Sequence, residues 1–297
     1  MIAIDFKNIT CSYENKTALD SISLSIPAGQ VIGLVGRNGA GKTTLIRSAM
    51  GMLRPQSGTI SILGLDPVKD SVLVKQRVGY VSEEQILPPF LKVLDVMNLH
   101  KSLYPMTWDD HLARKLSSQF NLPTDQKIKT LSKGQARQVA LVCAVSHRPE
   151  LLILDEPAGG LDPSARREFL ETSIAFLNES GSTILFSSHH MTDVERMSNR
   201  IILLHKGKKL LDRDMDDLKE ENTLVIIPEI EGIDRSSIKD LPQCLSVRKR
   251  GDLYHSVFHL PVEETRQCVE DKFSLRGLQA KSMGLEELFI EVTGGQS

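Results

Sequence analysis

Cysteine is scarce in this chain, and neither sign of charge dominates it. The 297 residues include four cysteines, and no two of them have the short spacing of a zinc site or a redox motif. We therefore expect reduced thiols in a cytoplasmic protein at Cys11, Cys143, Cys244 and Cys268. The 36 lysines and arginines nearly balance the 38 aspartates and glutamates, for a net charge of −2. This balance excludes a basic body that wraps nucleic acid and an acidic solvating tail.

Long apolar runs are missing as well. No stretch reaches the ~18 uninterrupted apolar residues of a membrane-spanning helix, and the nearest, residues 139–154, is interrupted at 146–150. Residues 1–7 have no charged start followed by an apolar run, so we expect no signal peptide. The 40% share of hydrophobic residues is enough for a sizeable core. The sequence thus predicts a folded chain that does not itself span a membrane.

Strand and helix patterns alternate along most of the chain. Alternating apolar residues predict a half-buried strand at 2–9, whereas continuous apolar runs predict strands covered on both faces at 31–35 and 151–154. Helical patterns lie between these strands, for example at 42–50 and 132–146. The alternation predicts an α/β fold with a mainly parallel sheet flanked by helices.

A strongly charged stretch at residues 212–221 is a predicted linker. We therefore expect a large first domain at residues 1–215 and a small α+β accessory domain at 216–297. The second domain has strand patterns at 223–230, 245–249 and 254–260 and a helical pattern at 263–273.

A glycine-rich loop with the sequence GRNGAGKT, at residues 36–43, is the strongest signal for function. Glycines let the backbone approach phosphate oxygens closely, and the following helix adds the positive end of its dipole. Lys42 would place its charge on the outer phosphates, and Thr43 would offer a hydroxyl to Mg²⁺. The predicted nucleotide contacts of this loop are Gly36, Arg37, Asn38, Gly39, Ala40, Gly41, Lys42, Thr43 and Thr44.

Two acids end the apolar strand at 151–154. Open α/β sheets bind ligands at the carboxyl ends of their strands. Asp155 suits a magnesium partner, and Glu156 is placed to act as the general base that polarises the attacking water. A strand that simply ends in a polar turn would look the same by itself, but the glycine-rich loop favours the functional interpretation.

Four further segments, in the same order along the chain, resemble motifs of ABC-type ATPases. Residues 131–135 (LSKGQ) resemble the signature motif, with lysine at the third position where glycine is common. Residues 157–162 resemble the D-loop, and residues 187–189 resemble the switch-histidine loop. Tyr13 stands where the family has an aromatic residue that stacks on adenine. The chain looks most similar to the ATPase subunits of bacterial ABC-2-type exporters.

This resemblance spans residues 2–212 and implies a P-loop NTPase fold, with a RecA-like core and antiparallel β and helical subdomains. It implies a head-to-tail dimer in which each ATP lies between the glycine-rich loop of one copy and the signature helix of the other. Hydrolysis would then release the dimer. The residues assigned on this basis are Tyr13, Ser132, Gly134, Gln135 and Asp162 around the nucleotide, with His189 and Glu156 at the γ-phosphate.

The resemblance also implies partners and a location. A second ATPase subunit, identical or different, and an integral-membrane permease are expected, with no nucleic acid. The ATPase would lie in the cytoplasm, peripherally on the inner face of the membrane. The apolar loop at 86–90 is our candidate permease-docking surface, and residues 285–289 resemble the ending of exporter-type subunits, for which we expect a role in dimerisation or regulation.

Several positions keep alternatives open. Glu83 stands about where the family has a glutamine that reaches Mg²⁺; it is either a metal ligand or an ordinary loop acid, and Gln85 lies two residues late. The register Ser-Ser-His favours His189 over His190 as the switch residue. Tyr13 is either an adenine platform or a surface tyrosine. The basic clusters at 206–209 and 248–250 are either solvated faces or contacts for phospholipid or nucleic acid.

Two functions other than transport remain as alternatives. A soluble ABC-type ATPase acting on DNA or ribosomes usually carries a long coiled-coil insertion or two ATPase domains, whereas this sequence has one glycine-rich loop and no sustained heptad. A nucleotide-gated binding module without turnover is the third hypothesis, and Glu156 argues against it.

Overall fold

The computed structural model describes residues 1–14, 16–84, 87–157, 159, 161–220 and 222–293. The chain divides into two compact units, Met1–Asp212 and Arg213–Ser297. Within the described ranges, no helix is long and apolar enough to cross a membrane. The first unit contains two sheets, and the second contains one.

The first unit alternates strands and helices, as the apolar patterns predict. In chain order its elements are β1 (Ile2–Tyr13), β2 (Lys16–Pro27), β3 (Val31–Val35), α1 (Lys42–Ala49), β4 (Ser57–Ile62), α2 (Ser71–Arg77), β5 (Val78–Val81), α3 (Val93–Leu103), α4 (Asp110–Gln119), α5 (Lys133–Val145), β6 (Leu151–Leu154), α6 (Pro163–Ser180), β7 (Thr183–Ser188), α7 (Met191–Met197), β8 (Arg200–His205) and β9 (Lys208–Asp214). A short 3₁₀ turn, Ile128–Thr130, precedes α5.

A six-stranded sheet in the order β5-β6-β7-β3-β8-β9 forms the centre of this unit. Strand β3 pairs in parallel with β7 and β8, and β6 pairs in parallel with β5 and β7. All residues of β3, β6 and β7 are buried, which explains why the sequences of β3 and β6 are continuous apolar runs. Because these strands are parallel, their carboxyl ends meet at one edge, and the loops that follow β3, β5, β6 and β7 gather there.

A three-stranded antiparallel sheet in the order β2-β1-β4 lies in the same unit. Its inner residues, such as Ile4, Phe6 and Ile26, belong to one hydrophobic cluster with Leu45 and Ile46 of α1. The carbonyl oxygen of Ala18 on β2 lies beside the loop that precedes α1. The packing of α1 against this sheet thus sets where the glycine-rich loop sits.

The second unit consists of one antiparallel sheet with helices. Its elements are α8 (Met215–Glu220), β10 (Asn222–Pro228), α9 (Arg235–Lys239), β11 (Cys244–Arg250), β12 (Leu253–His259), α10 (Val262–Phe273), β13 (Gln279–Ser282) and α11 (Leu285–Thr293). The strand order is β11-β12-β10-β13, and each pair is antiparallel. From β10 to β13 this β-α-β-β-α-β arrangement is ferredoxin-like. Val225, Phe258 and Val269 lie at the centre of its core.

The prediction of a linker at 212–221 is wrong over its described part. Strand β9 continues to Asp214, and α8 occupies Met215–Glu220. Met215 and Leu218 are buried. Their spacing of three residues gives α8 one apolar stripe, which the surrounding acids hid in the composition. The compact units divide after Asp212, three residues before the boundary that the sequence predicts.

The two basic clusters are paired with acids in the structure. Lys208 contacts Asp20 at 3.2 Å, and Lys209 contacts Asp212 at 2.8 Å. In the second unit, the arginines of β11 both reach Glu291 of α11, from Arg248 at 3.3 Å and from Arg250 at 2.6 Å. These ion pairs favour a structural role for the clusters over contact with phospholipid or nucleic acid.

Candidate functional site

The glycine-rich loop makes a tight connection between β3 and α1. Gly41 has φ of +109°, and a Cβ atom at this position would lie 2.7 Å from the carbonyl oxygen of Ala18. A Cβ atom on Gly36 would lie 2.6 Å from the carbonyl oxygen of Leu204. Both positions therefore require glycine. The amino terminus of α1 has no side-chain cap and no acidic residue in its first turn, so its amide groups suit an anionic ligand.

A cavity of 330 Å³ lies along this loop. That volume falls in the range typical of small-molecule sites. The cavity brings together predicted residues from four separate segments of the chain. Its lining consists of Tyr13, Lys16, Ala18, residues 37–44, Glu83 and Glu156.

Lys42 is held by two oxygens at the base of the cavity. Its Nζ donates a hydrogen bond of 2.6 Å to the carbonyl oxygen of Gly36, and it lies 3.0 Å from Oε1 of Glu156. The lysine is 6% exposed. Because a buried ammonium group is costly unless it is paired, the cavity floor carries a fixed positive charge close to a carboxylate.

Glu156 is bound on both of its carboxylate oxygens. Oε1 faces Lys42, and Oε2 lies 2.8 Å from Nδ1 of His189. Burial raises the pKa of Glu156, but Lys42 and then His189 outweigh burial and hold the pKa below its ordinary value. The backbone φ of Glu156 is +46°, in the left-handed region that residues other than glycine rarely adopt. Strain of this kind is concentrated at functional sites.

Asp155 lies beside Glu156 but has a different environment. Its Oδ1 accepts hydrogen bonds from Ser187 Oγ at 2.7 Å and from Thr43 Oγ1 at 3.4 Å. Ser187 Oγ in turn accepts the backbone amide of Glu156 at 2.7 Å. Burial raises the pKa of Asp155 above its ordinary value, although the two hydroxyl groups oppose this effect. A carboxylate and a hydroxyl at the edge of a phosphate cavity are oxygen donors of the kind that Mg²⁺ takes.

His189, and not His190, reaches the carboxylate of Glu156 in this structure. The rings of the two histidines lie 4.0 Å apart and are tilted by 40°. His190 precedes α7, and burial followed by repulsion from Arg166 lowers its pKa. The geometry agrees with the register that favours His189.

The described residues of the signature segment, and Asp162 of the D-loop segment, lie outside this cavity. Ser132 is the N-cap of α5, where its Oγ accepts from Gln135 N at 3.2 Å and Gln135 Oε1 accepts from Ser132 N at 3.0 Å. Gln135 thus closes a capping box. Asp162 plays a similar part at α6, where its Oδ1 accepts from the amides of Ser164 and Ala165 at 3.0 Å. Within one chain, the structure therefore gathers most of the predicted site residues around the loop, whereas Ser132, Gly134, Gln135 and Asp162 lie outside the cavity.

Four residues at this site were not predicted: Lys16 and Ala18 line the cavity, and Ser187 and Arg137 contact its residues. Ser187 stands in the switch-histidine segment, and its hydroxyl joins Asp155 to the backbone of Glu156. A small hydroxyl residue at the start of the switch-histidine segment was the sequence signal that could have indicated Ser187. Arg137 lies on α5 and reaches the backbone at Glu83 and Gly159. The sequence signal for Arg137 was an arginine in a helix whose following residues are almost all apolar and buried.

Comparisons with known proteins agree with this geometry. Residues 19–159 match the sequence family described as ABC transporter. The chain is 30% identical to the linearmycin resistance ATP-binding protein LnrL of Bacillus subtilis (strain 168), over 97% of each chain. It is 31% identical to the Nod factor export ATP-binding protein I of Neorhizobium galegae, over 99% of this chain and 85% of that protein.

Solved structures show the same fold. An ATP-binding subunit of an ABC transporter superposes with a TM-score of 0.65 and 28% identity, over 73% of this chain and 91% of that chain. A dimeric ATP-binding cassette bound to ADP and Pi superposes with a TM-score of 0.64 and 23% identity, over 71% of this chain and 98% of that chain.

The fold and the cavity define a P-loop NTPase of the ATP-binding-cassette class, which confirms the predicted fold class. The family match and the similar relatives identify the protein more specifically than the fold does. The chain belongs to the ABC transporter family, as one of its ATP-binding subunits, and it is an ATPase.

Proposed function

We propose that two ATPase subunits hydrolyse ATP at their shared interface and drive export through a separate membrane permease. The observation that carries this proposal is the division of the site. Lys42 and Glu156 meet in the 330 Å³ cavity, whereas Ser132 and Asp162 lie outside it on their helix ends. A second subunit placed head to tail would bring its Ser132 helix over the cavity and complete it.

Three side chains take the chemical roles. Lys42 would bind the outer phosphate oxygens with its buried charge. Glu156 is the proposed general base, because its lowered pKa keeps the carboxylate ionised at neutral pH. His189, hydrogen-bonded to Glu156, would hold that carboxylate in place next to the γ-phosphate. Tyr13 lines the same cavity, which supports its proposed role of stacking on the adenine ring.

Magnesium fits the oxygen donors next to this carboxylate. Thr43 and Asp155 lie 3.4 Å apart through their side-chain oxygens, and they would hold the ion directly or through water. Glu83 lines the cavity and can supply a third oxygen. The bound ion would neutralise charge on the phosphate oxygens.

The opposite face of the nucleotide would be bound by the signature helix of the second subunit. Ser132 is exposed, and the amino terminus of α5 carries the positive end of a helix dipole. An isolated amino terminus facing solvent is suited to a phosphate that a second molecule presents. Gly134 would allow close approach there, with Gln135 holding the cap and Asp162 beside the interface.

A membrane permease is the proposed second partner, and the names of the relatives support export. Export is the direction of transport in the name of the Nod factor export protein, and we extend that direction to this chain. The subunit would then lie in the cytoplasm, peripherally on the inner face of the membrane. The domain of residues 213–297 is the proposed accessory unit for dimerisation or regulation.

The docking surface for that permease is proposed around the ends of α2 and α3. Tyr104 donates its hydroxyl to the carbonyl oxygen of Lys75 at 3.3 Å, so these two helix ends are joined. Beside them lies a cavity of 320 Å³ whose lining includes Met52 and Leu87. Leu87 belongs to the predicted docking loop at 86–90, of which residue 86 lies outside the described residues. Phe90 in the same loop is exposed.

Exposed apolar side chains lie at this cavity and on the two helices that contribute to its lining. Val72 lies three residues before Lys75 on α2, and Leu103 lies three residues after His100 on α3, which is the spacing of one helix face. Val72, Leu103 and Met52 are all more than half exposed. Exposed apolar residues grouped around a cleft are typical of a protein-binding surface.

ATP turnover and membrane association test this function together. We expect the purified chain to hydrolyse MgATP, and the Glu156→Gln variant to bind ATP with turnover reduced by at least about 100-fold. We also expect an integral-membrane protein to co-purify from membranes. Turnover that is unchanged in the Glu156→Gln variant would contradict the role of Glu156. Stimulation by DNA or ribosomes without any membrane companion would favour the soluble alternative.

A further inference from the structure

Arg137 joins three segments of the ATPase unit through one side chain. It lies on α5, is 9% exposed, and its guanidinium donates to two backbone carbonyl oxygens. Nη2 donates to the carbonyl oxygen of Glu83 at 2.8 Å, and Nη1 donates to the carbonyl oxygen of Gly159. These two carbonyls belong to the loops after β5 and after β6.

Both loops carry side chains that face the nucleotide cavity. Glu83 lines the cavity with its own side chain, while its backbone is held by Arg137. Gly159 donates its amide to the carbonyl oxygen of Glu156 at 3.1 Å, so the two residues close one turn. Arg137 therefore holds the far end of the turn in which Glu156 has its left-handed backbone. A conformation of this kind persists where its surroundings fix it.

The helix that carries Arg137 also carries the signature segment. Ser132 caps the amino terminus of α5, and Arg137 lies five residues further along the same helix. The nine residues from Arg137 to Val145 are all buried, which makes this part of the helix a rigid element of the core. A displacement of the Ser132 end would therefore move the Arg137 guanidinium with it.

Arginine suits this place better than another cation. Its planar guanidinium directs several donors in a fixed fork, so one side chain can serve two carbonyls at the same time. Burial lowers the pKa of Arg137, and the negative charges of Glu83 and Glu156 oppose that effect. A lysine has one ammonium group on a flexible stem and does not reproduce the fork.

We propose that Arg137 is a positioning residue that makes the catalytic geometry of Glu156 depend on the position of the signature helix. The inference rests on the proposed function, in which Ser132 of one copy contacts the ATP held by the other. When that helix seats on the nucleotide, Arg137 carries its position to Glu156 and Glu83 of its own chain. Each ATP site thereby reports its occupancy to the other site.

The test compares Arg137→Lys and Arg137→Gln with Arg148→Lys as a matched control. Arg148 is a surface arginine that pairs with Asp109 at 2.7 Å, away from the cavity. We expect both Arg137 variants to bind ATP within about 3-fold of the unchanged protein, because Lys42 and its loop are intact. We expect kcat to fall by about 10-fold to 100-fold and the Hill coefficient for ATP to fall towards one.

Three outcomes would overturn the proposal. The first is an Arg137→Lys variant with unchanged kcat and unchanged cooperativity. The second is a loss of activity fully accounted for by weaker ATP binding or by a lower thermal midpoint, which would make Arg137 a packing residue. If Arg137→Gln does not fold, Arg137→Lys decides by itself, because it retains the charge and most of the volume. The third is an equal loss in Arg148→Lys.

Failure of this inference is distinguishable from failure of the proposed function. If the unchanged protein hydrolyses MgATP and dimerises with it, the function stands whatever the Arg137 variants do. If the unchanged protein shows neither activity, the proposed function fails, and the coupling of its two sites fails with it.

Discussion

The two motif groups of this ATPase differ in how complete they are within one chain. Around the glycine-rich loop, Lys42, Asp155 and Glu156 are buried and bonded to one another or to their neighbours. At the tip of α5, Ser132 is exposed and its side chain bonds to the first turn of its own helix. One group is a built pocket, and the other is a surface. The difference supports our proposal that the catalytic charges are positioned within one chain, whereas the contact that closes the site comes from a second molecule.

The largest effect is expected from removing the charge of the built pocket. Lys42→Met retains the length of the side chain and should lower kcat/KM for MgATP by about 1000-fold, because a buried charge-assisted contact to phosphate is lost. Steady-state ATPase measurements would show this loss. Turnover within about 10-fold of the unchanged protein would contradict the assigned role of Lys42.

The second prediction concerns His147, which follows the buried part of α5. Burial lowers the pKa of His147 to about 4, and its ring stacks on Tyr104 at 4.1 Å. The unfolded chain therefore binds a proton below pH 6.5 that the folded chain does not take up, so folding stability falls as the pH drops from 6.5 towards 4. His147→Phe keeps the stack and should remove about 3 kcal/mol of that pH dependence.

Urea unfolding of both proteins at pH 7 and pH 4 would measure this difference. Tyr104→Phe is the matched control, since it preserves the stack and leaves His147 in place. Equal slopes of stability against pH in the His147→Phe variant and the unchanged protein would show that another group is responsible for acid destabilisation. His100, whose pKa burial also lowers, is the next candidate.

The exposed tip of α5 is tested by a pair of substitutions that both preserve the helix cap. Ser132→Asp and Ser132→Asn each supply an N-cap oxygen, but the aspartate adds a negative charge where the phosphate of the second copy should lie. We expect Ser132→Asp to lower kcat by about 100-fold and to block ATP-dependent dimerisation, with ATP affinity of the monomer unchanged. Ser132→Asn should retain most activity. Equal behaviour of the two variants would place the signature tip away from the nucleotide.

The smallest effect is expected in the second unit. Glu291 of α11 is buried and receives both Arg248 and Arg250. Glu291→Gln should lower the free energy of unfolding of that unit by about 1 kcal/mol, because charge-assisted contacts become neutral. ATP turnover of the isolated subunit should stay within 2-fold, on the order of the effect of a remote surface change. A large change in turnover would instead connect the second unit to the catalytic cycle.

The sequence predicts the built pocket better than the surface, for a physical reason. The loop at 36–43 and the strand at 151–154 follow strict local rules, because phosphate binding needs glycines and because a strand covered on both faces needs apolar residues. The contacts of Lys42 with Glu156 follow from the parallel sheet that aligns their strands. Local pattern and global fold agree there, so sequence is informative.

Long-range side-chain contacts are the part that sequence could not supply. Arg137 reaches carbonyls 54 and 22 residues away, and backbone acceptors have no sequence signature. Gln135 was predicted to face the nucleotide, and its capping box became visible with the geometry of α5. The prediction of a linker at 212–221 is wrong because it rests on the high content of charged residues. Two buried residues are enough to pack α8 against its unit. The high charge of this segment therefore concealed a helix that packs through two buried side chains.

The mass of the Glu156→Gln variant with ATP tests the central claim most directly. The chain has a mass of 33.0 kDa, and light scattering after size exclusion would measure the particle with and without MgATP. We predict a monomer without nucleotide and twice the mass of the chain with it, because ATP joins the loop of one copy to the signature helix of the other. A Glu156→Gln protein that binds ATP and stays monomeric, even with its membrane companion and any second ATPase subunit present, would contradict the account.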